Sequence, residues 1–403
     1  MKRLLVILLL IGFALPVMAN DALVLPENVM RMYTVPVYGF QSGSWDDDGS
    51  FEEAEQDETN PPIENLFNLG GALEYGLTNQ ISLGVQWAPG YNLVGNLDGK
   101  DRTENANNAG EDEDGGALIT LDSAGEIDEV DLLVGKDGQV LGARPVRIGT
   151  EMQVLGNQGW IRDDRFRVQV AAGGDIGGWQ RDWKEEGKNF ADGDAYVDPF
   201  AYVSGIDPRY AAGGSLSLDY VINDELYVNV FGEYEQKFAR DYDVTDFYKE
   251  AGLLFDTSEL GGNYSYYEGE DIKNVEIGVK PSYTVETELE VVYQKQVSDL
   301  MRLRGSLPFT VTFDSDVEAD IDAKLSTPDP PGGLGDVDET IKDYELDKAG
   351  YSMYLTPTLD VFLNGMTPPT QFLVKYGIPV AGKNASAVHQ FILEGRVYLS
   401  VCG

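Results

Sequence analysis

Residues 74–87, EYGLTNQISLGVQW, carry apolar side chains at every second position on both sides of a short polar break. The apolar positions are Tyr75, Leu77, Ile81, Leu83, Val85 and Trp87. Alternation with a period of two predicts β-strands that have one apolar and one polar face. We therefore predict a hairpin here, and the question is which of its faces meets water.

The same alternation recurs along the chain, in residues 220–237, 274–296, 372–380 and 391–401. In four predicted hairpins a tyrosine precedes the turn and an apolar residue restarts the next strand: Tyr75…Ile81, Tyr220…Leu226, Tyr283…Leu289 and Tyr354…Leu359. Tyrosine and tryptophan at strand ends are typical of the aromatic girdles at membrane interfaces. We predict Tyr75, Trp87, Tyr220, Tyr283 and Tyr354 as interface aromatics, and ordinary strand-end tyrosines of a soluble β protein are the alternative.

Full charges occupy the polar register in the middle of the predicted strands. They include Glu233, Glu235, Lys237, Glu276, Lys280, Glu290, Glu394 and Arg396. A soluble sandwich would turn this register outward, whereas a transmembrane barrel would turn it into the lumen. The predicted strands have about 10–13 residues, close to the 9–11 residues that cross a bilayer when tilted. We therefore predict these charged residues as lumen-lining.

The predicted fold class is all-β, a transmembrane antiparallel β-barrel of about 14 strands, with a range of roughly 12–16. Short turns alternate along the chain with long acidic segments such as 45–58, 110–116, 175–196 and 314–348. This asymmetry predicts short periplasmic turns and long acidic extracellular loops. The acidic loops are predicted to bind divalent cations such as calcium weakly, although none has the spacing of a complete calcium loop, and plain solvated loops are the alternative.

The first residues have the pattern of a secretory signal peptide. Lys2 and Arg3 precede the apolar residues 4–17, and small residues lead to Ala19. This apolar run is shorter than the roughly 20 residues of a spanning helix. We predict a signal peptide over 1–19, cleavage near Ala19, and a single barrel domain over 20–403.

Charge and rare residues exclude several classes of function. The chain has 69 acidic and 29 basic residues, a net charge of −40, whereas nucleic-acid binding needs basic patches. Cys402 is the single cysteine, so no disulfide framework is predicted. His389 is the single histidine and lies in an apolar register, which predicts an interfacial position. We predict no catalytic residue, no resident metal site and no enzymatic activity.

The unit EYGLTNQISLGV, residues 74–85, resembles hairpins of Gram-negative outer-membrane β-barrel proteins. It is similar to the loose group of hydrocarbon and aromatic-compound channels related to the long-chain fatty-acid transporter, including the phenol-degradation outer-membrane proteins. Residues 20–35 lack the Asn-Pro-Ala motif of the fatty-acid transporters' N-terminal hatch. This departure leaves it open whether the barrel has a plug of that type, and no ligand-binding residue is transferred.

The resulting hypothesis is a channel or transporter in the cell outer membrane of a Gram-negative-type bacterium, for passive uptake of small hydrophobic or aromatic solutes. Its predicted partners are outer-membrane lipid, lipopolysaccharide and the solutes. A closed structural or surface-interaction barrel is one alternative, and a soluble secreted β-rich binding protein is another. The sequence leaves open the identity of the solute, the openness of the lumen and the oligomeric state.

Overall fold

The computed structural model describes residues 22–53, 66–95, 117–121, 127–132, 145–177, 181–191, 199, 202–203, 209–256, 265–267, 269–325 and 337–401. The predicted signal peptide, residues 1–19, lies outside this part of the chain, so it stays a prediction, as does the single domain over 20–403.

The regular elements are listed here in chain order. They are β1 (Val29–Trp45), β2 (Phe51–Glu53), β3 (Leu66–Thr78), β4 (Ile81–Gly95), β5 (Ala117–Leu121), β6 (Ile127–Leu132), β7 (Val146–Leu155), β8 (Phe166–Ile176), α1 (Trp183–Ala191), β9 (Ala211–Val221), β10 (Leu226–Lys237), β11 (Arg240–Asp243), α2 (Thr245–Ala251), β12 (Leu253–Asp256), β13 (Ser265–Tyr267), a 3-10 turn (Gly269–Asp271), β14 (Ile272–Val279), β15 (Ser282–Ser298), β16 (Met301–Asp314), β17 (Val317–Leu325), β18 (Val337–Asp347), β19 (Gly350–Leu355), β20 (Thr358–Leu363), β21 (Thr370–Lys383) and β22 (Ala385–Ser400).

A closed antiparallel barrel of twelve strand positions dominates the structure. Around the barrel the order is β1, β3, β4, β7, β8, β9, β10, β15, β16, β19 with β20, β21 and β22. The first and last strands pair from Val29 with Ser400 to Trp45 with Ala385, which closes the ring. Because a closed sheet has no free edge, every barrel strand has hydrogen-bonding neighbours on both sides.

Strands β19 and β20 together form one strand position of the barrel, between β16 and β21. β16 pairs with β19 through Phe309–Asp314 and with β20 through Met301–Ser306, both antiparallel. The chain between Tyr354 and Leu359, where we predicted a turn, therefore continues in one direction along the wall. The barrel has twelve strands rather than the fourteen of our best count, at the lower limit of the predicted range.

A second predicted turn is also wrong. We placed a turn between Tyr283 and Leu289, but β15 runs without interruption through this segment and pairs with β10 along it. The odd-numbered residues keep one register from Tyr283 to Tyr293, so the strand has no reason to reverse. The break in this region comes earlier, at Lys280 and Pro281. The hairpins that turn at 79–80 and at 222–225 are confirmed.

The connections differ between the two ends of the barrel. At one end, here called the turn end, the strands are joined by the segments 79–80, 156–165, 222–225, 299–300 and 364–369. At the other end, the loop end, the connections are 46–65, 96–145, 177–210, 238–281 and 315–349, with a tight turn at Asn384. Both β1 and β22 have their outer termini at the turn end.

Part of the barrel wall continues beyond the loop end. A second sheet has the order β11, β14, β17 and β18, which repeats the order of the barrel strands β10, β15, β16 and β19 that directly adjoin it in the chain. We call these four strands with α1 and α2 the loop-end extension. Its core contains Ile277, Phe247 and Trp183, and α2 packs on β14 while α1 packs on α2.

The two faces of the barrel wall have opposite polarity. Apolar side chains on the outer face are exposed, including Leu83, Val85, Val230, Leu289, Val291, Leu307, Phe372, Val374 and Leu393. Polar and charged side chains on the inner face are buried, including Glu74, Glu151, Gln153, Asp219, Asn229, Glu235, Glu288, Glu290, Asp360 and Glu394. The barrel thus reverses the usual arrangement of a soluble protein, in which exposed apolar surface is dispersed.

Candidate functional site

The lumen near the loop end contains one arginine surrounded by carboxylates. Arg147 on β7 donates from Nε to Asp175 Oδ1 at 2.9 Å, and its guanidinium also contacts Glu233 and Glu235 on β10. Inward-facing residues between these strands are small, which leaves space for the side chain to cross. They form a continuous row of paired glycines, Gly84, Gly149, Gly173 and Gly213. The cluster joins two sides of the lumen through buried ion pairs.

A cavity of about 420 Å³ occupies the lumen nearer the turn end. Its charged lining residues are Arg31, Glu288, Glu290, Arg302, Arg304, Asp360, Lys375, Glu394 and Arg396. Its apolar lining includes Leu23, Val24, Leu25, Val35, Leu373 and Ile392. The site therefore combines both signs of charge with an apolar wall in one cavity.

Most charges of this cavity are held in pairs. Glu394 contacts Arg396 and lies 3.6 Å from Lys375 Nζ, and Arg304 Nη2 lies 3.4 Å from Glu290 Oε2. Arg31 Nε donates to Glu74 Oε2 at 2.7 Å. Such pairs offset the desolvation of the buried ions, so the lumen lining can remain charged.

Aromatic rings lie against the guanidinium groups of this lining. Arg31 and Arg396 stand over the Tyr33 ring, 5.7 and 5.6 Å from its centroid. Arg167 and Arg304 stand over the buried Tyr227 ring at 5.5 and 5.8 Å. Cation–π contacts of this kind hold the planar cations in fixed orientations.

The segment 22–28 before β1 lies inside the barrel at the turn end, and we call it the inner strap. Ala22 N lies 3.5 Å from Asp219 Oδ1, and the Ala22 carbonyl accepts from Gln153 Nε2 at 2.8 Å. Leu25 N donates to Ser82 Oγ at 2.9 Å. These partners belong to the inner faces of β9, β7 and β4, so the strap narrows the lumen beside the cavity.

Six of the eight residues predicted as lumen-lining lie on barrel strands in the inward register: Glu233, Glu235, Lys237, Glu290, Glu394 and Arg396. The other two, Glu276 and Lys280, are not in the barrel wall. β14 pairs with β11 and β17, and Lys280 follows it, so both residues belong to the loop-end extension. Their alternation reflects a sheet that covers a protein core instead of enclosing the lumen.

The predicted interface aromatics divide into three groups. Tyr75 and Tyr220 face outward near the turn end, and Tyr283 faces outward near the loop end, 6.0 Å from the rings of Tyr234 and Phe313. The Trp87 side chain lies outside the described residues, although its backbone belongs to β4.

Tyr354 differs from the prediction, because its register turns it into the barrel. It pairs directly with Thr310, whose hydroxyl donates to the lumen residue Glu288 at 2.9 Å. Directly paired residues point to the same face of a sheet. We predicted an interface position for Tyr354 because we expected a turn beside it. β19 and β20 instead continue in one direction along β16, so there is no turn at this point.

His389 lies on the outer face, as its register predicted. Its ring stacks on Phe40 with centroids 4.9 Å apart, and its Nδ1 lies 3.1 Å from the Tyr376 hydroxyl. These three rings form an aromatic patch toward the loop end of the wall.

The acidic segment that starts at Asp46 is organised by its own backbone. Asp46 Oδ1 accepts from the backbone N–H of Asp48 and Ser50, at 3.2 and 2.8 Å. Hydrogen bonds from Ser50 hold the pKa of Asp48 below its usual value. In the described part of the chain no group of three acidic, histidine or cysteine side chains is arranged to hold a metal ion. Calcium binding therefore stays a prediction.

Several lining residues were not predicted from the sequence, among them Arg31, Arg302, Arg304, Lys375 and the inner strap. Arg302 and Arg304 alternate with Leu303 and Gly305 in RLRGSLPF, residues 302–309, which is the signal that could have identified β16. The inner strap has no alternating pattern, so nothing comparable in the sequence could have predicted that it lies in the lumen. Across the described residues, no helix has both the length and the apolar character needed to span a membrane.

The sequence matches no protein-family model and no curated protein. Among solved structures, the chain is similar to an outer membrane channel from Pseudomonas putida F1, at 10% identity and a TM-score of 0.45, over 95% of this chain and 100% of that chain. It is also similar to the CymD monoaromatic hydrocarbon channel, at 9% identity and a TM-score of 0.36, over 93% and 89% of the two chains. A third is the P. putida toluene transporter TodX, at 8% identity and a TM-score of 0.33, over 93% and 91%. These proteins are of the group that residues 74–85 resemble.

Proposed function

We propose that this chain is an outer-membrane β-barrel channel through which small solutes, including hydrophobic or aromatic ones, pass by diffusion. The observation that carries the proposal is the polarity of the barrel wall. An uncovered apolar outer face needs an apolar surrounding, and a closed barrel satisfies its backbone hydrogen bonds internally, so a bilayer suits it.

The two ends support an orientation in that bilayer. We place the turn end at the periplasm and the loop end at the cell exterior, as in other outer-membrane barrels. Outward aromatic rings occur near both ends, with Tyr220 and Phe166 5.1 Å apart at the turn end and Tyr234 beside Tyr283 at the loop end. Rings at both levels fit two aromatic girdles at the interfaces.

A second candidate function is a closed structural barrel. The inner strap and the buried ion pairs favour it, because they occupy part of the lumen near the turn end beside the cavity. Lipid and lipopolysaccharide would be partners in either case, and the acidic loops would be exposed to divalent cations outside the cell.

Single-channel conductance in a planar bilayer tests the proposal, after a difference in gel mobility between unboiled and boiled protein has shown that the barrel is folded. We expect stepwise conductance for the processed protein and a larger step for a variant that begins at Pro26. Silence from both inserted proteins would contradict the channel and favour the structural barrel.

Ion selectivity tests whether the charged register faces the conducting path. Glu233→Lys combined with Glu290→Lys replaces two inward carboxylates and should shift the reversal potential toward anion selectivity. Asp224→Lys, in the turn 222–225, is the matched control and should shift it much less. Unchanged reversal potentials in the double variant would contradict the proposed path.

A further inference from the structure

Two groups in the turn-end cavity have unused binding capacity, and they carry opposite charges. Arg302 lines the cavity with its guanidinium over the Phe362 ring, 5.2 Å from the centroid. Phe362 in turn meets Tyr398 edge-on, with centroids 5.4 Å apart. Arg302 forms no ion pair with any carboxylate in the described ranges, whereas Arg31, Arg304 and Arg396 each have an acidic partner. Arg302 is thus an oriented cation available to a ligand.

Asp360 provides the opposite charge. Its side chain is almost fully buried, and Oδ2 accepts from Gln371 Nε2 at 2.5 Å. Its other oxygen, Oδ1, has no hydrogen-bond partner among the residues that the structure describes. Protein atoms cover Oδ1. Leaving a buried acceptor without a partner costs roughly 1–3 kcal/mol, so a ligand donor that displaces this cover is favoured at Oδ1.

The two groups are diagonal neighbours on one face. Arg304 pairs with Asp360 and Arg302 pairs with Phe362, so Arg302 and Asp360 differ by two residues in register. Diagonal positions on adjacent strands are about 7–8 Å apart. This spacing refers to the backbone positions of the two residues. The ammonium and carboxylate of an α-amino acid are close together, so we expect one head group to contact both side chains.

The rest of the cavity accommodates an apolar side chain. Leu23, Val24 and Leu25 of the inner strap line it, and its volume of about 420 Å³ is enough for an aromatic ring. The net charge of the chain, −40, disfavours entry of net anions and leaves a zwitterion unaffected.

We infer that the turn-end cavity binds zwitterionic α-amino acids with apolar side chains, with the carboxylate on Arg302, the ammonium on Asp360 Oδ1 and the side chain against the strap. The inference deepens the proposed channel function, on which it rests, by naming a class of solute. Both head-group contacts are charge-assisted hydrogen bonds, which are stronger than neutral ones.

Isothermal titration calorimetry of the folded barrel in detergent tests the inference with three ligands that share a phenyl ring on a short alkyl chain. L-Phenylalanine carries both charges, 3-phenylpropionate carries only the carboxylate, and phenethylamine carries only the ammonium. We expect L-phenylalanine to bind at least about tenfold more tightly than either analogue. Equal affinities for the three ligands would overturn the inference.

Two variants assign the contacts. Arg302→Gln should weaken L-phenylalanine and 3-phenylpropionate about tenfold or more and leave phenethylamine within roughly twofold. Asp360→Asn should weaken L-phenylalanine and phenethylamine and leave 3-phenylpropionate unchanged. Arg162→Gln, an exposed arginine in the connection 156–165, is the matched control and should change none of the three. Gel mobility of unboiled protein shows whether each variant is folded.

The outcomes separate this inference from the channel proposal. Stepwise conductance without binding of L-phenylalanine would overturn the inference and leave the channel intact. Binding of L-phenylalanine by a barrel that never conducts would support the cavity assignment and contradict the channel. If Arg302→Gln binds each of the three ligands as tightly as the control Arg162→Gln does, Arg302 is not the carboxylate site and the inference is wrong.

Discussion

Strands β14 and β15 follow one another in the chain and have the same alternation, yet they bury opposite registers. In β14 the apolar residue Ile277 is fully buried, at 0% exposure. In β15 the apolar residue Val291 is 48% exposed and the neighbouring Glu290 only 4%. From Val275 onward in β14, and over most of β15, the odd-numbered residues carry the apolar side chains. An alternating pattern therefore predicts an amphipathic strand without predicting which face is covered.

The difference comes from what lies against each strand. α2 packs on β14, where the Thr245 hydroxyl accepts from Val275 N at 2.9 Å, and α1 packs on α2 with the Trp183 and Phe247 rings 6.4 Å apart. No described residue plays this part for the apolar face of β15. The barrel wall and the loop-end extension thus share an alternating pattern but differ in what covers their apolar faces. Protein covers the apolar face of the extension, and in our proposal lipid covers that of the barrel wall.

Charging the protein-covered face should have the largest effect. Ile277→Arg removes a buried side chain and places an unpaired cation in the core of the loop-end extension, which should cost about 5 kcal/mol or more. We expect the extension to lose protection from proteolysis while the barrel keeps its difference in gel mobility between unboiled and boiled samples.

The control for this prediction is Lys273→Arg, an exposed position on the same strand. It should leave proteolytic protection unchanged. If Ile277→Arg unfolds the barrel together with the extension, the two regions form one cooperative unit and the comparison between them fails.

Removing the central cation of the lumen should have the next largest effect. Arg147→Ala leaves Asp175, Glu233 and Glu235 close together without their shared partner, and breaking a buried ion pair costs about 3–5 kcal/mol. We expect a lower midpoint in denaturant unfolding and stronger cation selectivity in bilayers. Arg162→Ala, at an exposed position, should change neither quantity, and an equal effect of both variants would contradict the structural role of Arg147.

Much of the barrel could be predicted from the sequence because its strands alternate over long stretches. The hairpin at 74–87 was predicted from six apolar positions, and its turn lies at 79–80 as expected. The errors arose where a local signal was given too much weight. The polar residues 286–288 suggested a turn, although the apolar register continued from Val285 to Leu289. Thr356 and Pro357 suggested another turn.

The site was less predictable, since its contacts join strands that are distant in the chain. Arg147 and Glu235 lie on β7 and β10, which the intervening strands β8 and β9 connect in the curved wall, and no local spacing encodes their distance. The inner strap is defined only by hydrogen bonds to three different strands. Which residues line a lumen can be predicted from register, whereas their ion pairs and the cavity between them depend on the closed topology.

Charging the outer face of the barrel should have an intermediate effect that depends on depth. Val291→Arg places a cation near the middle of the proposed membrane span and should cost about 2–4 kcal/mol in lipid vesicles. Val297→Arg, on the same face but beside the turn at 299–300, should cost about 0–1 kcal/mol. Denaturant unfolding of vesicle-embedded protein measures both. Equal effects at the two positions would contradict a lipid-facing wall.

The smallest effect is expected where a cation meets carboxylates in solvent. Lys280 Nζ lies 3.4 Å from Glu318 Oε2 and 3.2 Å from Asp320 Oδ1 and also contacts Asp343, and these side chains are well exposed. Solvent screens such pairs, so Lys280→Ala should cost less than about 1 kcal/mol in the unfolding of the extension. The contrast with Arg147→Ala is the measure of interest, because both cations contact three carboxylates. A loss at Lys280 as large as that at Arg147 would show that the polar face of the extension is enclosed like the lumen, and that the two regions differ less than their burial indicates.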